Sequence, residues 1–140
     1  DLIDYDLKVL FVDGSPTVTT LKAVHHFANG TNTFWECLAE SGFVDVRTRS
    51  YQKKKLPKTY RLGITTFHTN HSNMTMTEIA NSKVKLTKII QTYCPRVVCF
   101  VGKGTFKSHS VFDFIEYGLQ STLIPWSRQM GETRIFAIPT

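Results

Sequence analysis

The run Val97-Val98-Cys99-Phe100-Val101 constrains this chain more than any other stretch. It is short, rich in β-branched residues and free of charged or amide side chains. Strands without polar alternation are buried on both faces, and sheets of that kind are mostly parallel, with crossover helices covering them. Leu7 to Val12 has the same character, and Asp13-Gly14-Ser15-Pro16-Thr17 breaks it with turn chemistry. Leu62–Phe67 is a second strand or the lead-in to a loop, Leu119–Leu123 an edge strand, and Arg134–Ile138 the last strand. Helical signals fall between them. Thr33 is placed to cap Phe34–Glu40, with Glu36 three residues on, and Gly42 stops that helix. Thr77 to Tyr93 carries Ile79, Val84, Leu86, Ile89, Ile90 and Tyr93 on a loose apolar face, and Pro95 ends it. A short helix is expected at Thr105–Val111, whereas Arg47 to Arg61 reads as loop. Strands alternating with helices predict an α/β fold, with Leu7–Val12 and Arg96–Val101 as adjacent central strands of a mainly parallel sheet.

The 140 residues suit one domain, 1–140, and a 41% apolar content supplies a core. No apolar run approaches the roughly 20 residues that span a bilayer, and no secretory leader is readable. The chain begins at Asp1 rather than Met, which suggests a piece of a longer protein. Cys37, Cys94 and Cys99 are odd in number and form no CxxC pair, which argues against a disulfide scaffold or zinc ribbon and for buried thiols in a reducing compartment. Charge is distributed unevenly. Between Val46 and Phe112 lie thirteen Lys or Arg and one acid, Glu78; the remainder holds four bases and ten acids. Arg47, Arg49, Lys53, Lys54, Lys55, Lys58 and Arg61 cluster tightly, with Tyr51 and Tyr60 interleaved. A one-sided positive field attracts polyanions, so nucleic acid is the expected partner, against the alternative of a solvated basic loop.

Three places have chemistry worth weighing. The Asp13–Thr17 turn follows a strand, and ligands of open α/β sheets bind at carboxyl strand ends. Asp13 either caps that turn or orients a water; Ser15 lacks the GxSxG elbow. Gly102-Lys103-Gly104-Thr105 is either a cradle for one DNA phosphate or a plain strand-to-helix turn, and it lacks the first Gly of a Walker motif, so no nucleotide cofactor is expected. His25-His26-Phe27 puts an aromatic beside a Gly-Asn loop, where it either stacks a base or fills the core. His68 and His71 stand in a Thr- and Asn-rich stretch with no Cys or carboxylate close by, so no metal site is expected.

These pieces occur in a recognisable order. Lys8-Val-Leu-Phe-Val-Asp-Gly-Ser-Pro-Thr17, His25-His26-Phe27, Asn32-Thr-Phe-Trp-Glu-Cys-Leu38 and Ser41-Gly42 resemble the start of the mismatch-specific uracil/thymine DNA glycosylase family. Leu56-Pro57, Gly63-Ile64-Thr65-Thr66, Cys94-Pro95-Arg96-Val97-Val98, Phe100-Val-Gly-Lys103, Glu116-Tyr-Gly-Leu-Gln120 and Ile135-Phe-Ala-Ile-Pro139 continue the resemblance over nearly the whole chain. It implies the three-layer α/β/α sandwich of the uracil-DNA glycosylase superfamily, a nuclear location and no cofactor. It also implies extrusion of a base from the duplex and attack of water at the sugar C1′.

The resemblance carries Phe27, Thr66, His26 and Asn32 to the base-binding pocket and Ser15, with Asp13, to the water. Lys53, Lys54, Lys55 and Lys103 fall to the DNA backbone. Three positions depart from the family pattern, and at one of them Phe27 replaces the usual Tyr and keeps the stacking face. Ser15 stands at the water-positioning Asn, with a shorter reach and no amide carbonyl. Thr66 stands at the base-reading Asn, losing a paired donor and acceptor. The chain stops at Thr140, before the family's wedge loop. Each positioned polar group is worth about 10²–10³ in rate. Two expectations follow: a glycosylase with degenerate motifs acting on G·U or G·T mismatches, or a catalytically inactive module of a larger protein that binds DNA or another protein.

Overall fold

The computed structural model describes residues 2–13, 38–44, 56–66, 76–101 and 116–138. Five strands form one sheet: β1 (Val9–Asp13), β2 (Leu62–Thr66), β3 (Val97–Val101), β4 (Gly118–Pro125) and β5 (Glu132–Ile138). Their spatial order is β2-β1-β3-β5-β4. β1 pairs in parallel with β2 on one side and with β3 on the other, and β3 pairs in parallel with β5. Only β4 runs antiparallel, as the outer strand of a hairpin with β5. The two strongest apolar runs are therefore neighbours near the middle of a mostly parallel sheet, as their composition predicts.

Alternate residues of β1, β3 and β5 contribute to two separate cores, because successive side chains point to opposite faces. Leu10, Val12, Val98, Phe100, Ile135 and Ala137 meet Leu86 and Ile90 of the long helix Met76–Tyr93. Phe11, Ile64, Cys99 and Val101 line the other face and meet Leu38, Val44 and Leu56. Burial on both faces explains why Val97–Val101 has no polar alternation.

Helix ends follow local chemistry. Residues 38–40 are helical, and Gly42 takes φ +79° just beyond them. The Phe43 N–H donates to the Leu38 carbonyl at 3.0 Å and the Gly42 N–H to that of Ala39 at 3.1 Å, the paired bonds of a glycine-terminated helix. Phe43 then sets its ring edge-on to Phe11 of β1, centroids 6.4 Å apart. The long helix begins one residue before the expected Thr77 and stops where Cys94 turns to φ +49° ahead of Pro95.

Three sequence expectations are corrected. Leu56–Tyr60 is a single wide helical turn rather than loop, anchored by fully buried Leu56. The edge strand spans Gly118–Pro125, longer than Leu119–Leu123. The first strand lies at Val9–Asp13, because Leu7 and Lys8 form the approach, their carbonyls accepting from the Arg96 and Val97 N–H groups at 3.1 Å each. The expected helical stretches Phe34–Cys37 and Thr105–Val111 lie outside the described residues.

Candidate functional site at the carboxyl edge of the sheet

The chain leaves β1 for β2 on one side of it, then crosses back through the long helix to β3 on the other. This reversal makes the carboxyl ends of β1 and β3 the topological switch point, the edge at which open α/β sheets bind their ligands. Register fixes what meets there. Asp13, the last residue of β1, pairs with Thr66, the last of β2. On the other side Val12 pairs with Phe100, and β3 ends one residue later at Val101. Three strand ends thus finish level, and the chain runs on from two of them into Gly14-Ser15-Pro16 and Gly102-Lys103-Gly104.

Asp13 is half-buried, at the rim of the apolar sheet. Beside Thr66, Thr65 is buried, and its Oγ1 has no hydrogen-bond partner among the described residues. A buried hydroxyl without a partner forfeits about 1–3 kcal/mol. The Gly63-Ile64-Thr65-Thr66 sequence is the signal in the chain for this pair of threonines. On the opposite face of the sheet, burial pushes the Cys99 thiol up to about 12 from 9.0, so it stays protonated at neutral pH and is no nucleophile.

Of the residues expected at the site, the structure brings together the backbone positions of Asp13 and Thr66. Ser15, His26, Phe27, Asn32, Lys53, Lys54, Lys55 and Lys103 lie outside the described residues, as do His68 and His71. Among the described residues, no group of three or more His, Cys, Asp or Glu is placed to hold a metal ion. No described helix is long and apolar enough to cross a membrane.

The opposite, amino edge of the sheet has a different character. Lys8 and Arg96 stand just ahead of β1 and β3, and Arg134 lies near the start of β5; all three are exposed. The long helix ends on this side, at Tyr93, with no basic residue in its last turn. Arg61 there is already engaged, donating to the Asp6 carbonyl at 2.9 Å and pairing with its carboxylate at 3.0 Å. No protein-family model matches the chain.

Proposed function

We propose that this chain is a divergent uracil/thymine DNA glycosylase-like domain, built as an α/β/α sandwich, that engages mismatched duplex DNA in the nucleus. The crevice at the carboxyl ends of β1, β2 and β3 receives an extruded base. The observation that carries the proposal is the register pairing of Asp13 with Thr66. The water-positioning and base-reading motifs are some fifty residues apart in sequence, and a shared site requires their strand ends to be neighbours at one edge. Apolar cores on both sheet faces, each with helical residues packed on it, support the sandwich.

In this reading, water held by Ser15 or Asp13 adds to C1′ as the N-glycosidic bond breaks. The bonding electrons leave with the base and the water proton passes to solvent or to the carboxylate. The departures at Ser15 and Thr66 favour a second reading, binding without excision. Removing two positioned amides at about 10²–10³ each leaves little of the ordinary rate.

A single-turnover assay with protein in excess over a G·U duplex separates the two. Excision that disappears in Ser15→Ala or Asp13→Asn establishes the enzyme. No product from the unsubstituted protein, together with affinity for the G·U duplex over a G·C one, establishes the inactive module. Neither product nor affinity for G·U over G·C overturns the proposal.

A further inference from the structure

We draw no further inference here: the strongest candidate, the exposed apolar sheet face where Leu119 and Leu123 of β4 flank Phe136 of β5, carries nothing because nothing in the structure shows what covers it.

Discussion

Gly131 and Cys99 illustrate how single residues carry disproportionate weight. Gly131 takes φ +134°, and a Cβ there would overlap the Trp126 ring at Cζ3 and Cε3. The ring cannot swing aside cheaply, since its Nε1 donates to Thr133 Oγ1 at 2.7 Å and that hydroxyl donates to the Pro95 carbonyl at 2.7 Å. Gly131→Ala is therefore expected to cost about 3 kcal/mol, combining backbone strain with a forced ring displacement. Gly118→Ala is the control: φ is +102° but nothing lies within 4 Å, so only the backbone part, about 1–2 kcal/mol, should appear. Urea midpoints measure both, and equal losses would mean the Trp126 contact contributes nothing. Cys99 gives a pH prediction. Its folded thiol is held up at about 12 by desolvation, whereas an unfolded one titrates near 9.0. Above pH 9 the unfolded chain loses a proton that the folded chain keeps, so this contribution is complete below pH 9 and is lost as pH rises towards 12. The stability advantage of the unsubstituted protein over Cys99→Ala should accordingly shrink between pH 8 and pH 10.5, by about 1.4 kcal/mol per pH unit at most. A constant difference across that range would refute the burial argument.

At the scale of elements, the two edges of the sheet are protected by different means. β2 is closed by Leu2, whose N–H donates to the Ile64 carbonyl at 2.8 Å and whose carbonyl accepts from Ile64 at 2.9 Å. β4 has no such cover among the described residues, and its eight residues include no charge, the usual guard of an exposed edge. Other devices replace it. Leu119 pairs with Phe136 and Leu123 with Arg134, so four steps along β4 match two along β5 and the strand bulges between them. The Gln120 side-chain amide donates to the carbonyls of Glu116 at 2.7 Å and Gly118 at 3.0 Å, and Pro125 ends the strand without an N–H. Gln120→Val frees those acceptors and raises β propensity, so its weight-average mass in sedimentation equilibrium should climb with protein concentration more steeply than that of the unsubstituted chain. Identical behaviour would place the guard in the bulge alone. Sequence legibility follows the same physics. Val97–Val101 was readable because burial on both faces removes every polar residue. β4 outruns the expected Leu119–Leu123 because Gly118 and Pro125, residue types that signal strand breaks, stand inside its two ends. Leu56–Tyr60 gives no helical signal because Pro57 and the surrounding lysines leave a single buried leucine, with no apolar periodicity. The resemblance puts Asp13 and Thr66 at one site, but their register is not legible in the residues, since register between strands some fifty residues apart is set by packing of the whole sheet.

For the molecule as a whole, charge and topology have to be considered together. The net +6 conceals a basic middle flanked by acidic ends. Of the cations in that middle, Lys85 and Lys88 lie on the exposed side of the long helix, and Lys58 is exposed on the Leu56–Tyr60 turn. The helix starts at the carboxyl edge and runs back to the amino edge, so Lys85 and Lys88, three residues apart on one face, form a short ridge leading away from the switch point. A duplex presented to the crevice would meet the tight cluster around Lys53–Lys55 only if that segment borders the same edge, and the salt dependence of binding tests this directly. Each phosphate neutralised contributes about 0.9 to the negative slope of log affinity against log salt concentration. Charge reversal at Lys53, Lys54 and Lys55 together should weaken duplex binding and flatten the slope by about 2–3 if all three contact phosphate. The corresponding reversal at Lys88, at the far end of the ridge, should leave the slope nearly unchanged. Equal flattening by both would mean a diffuse field holds the DNA without a defined face. Absence of affinity even at low salt would remove DNA as a partner and leave the carboxyl-edge crevice to a ligand of another kind.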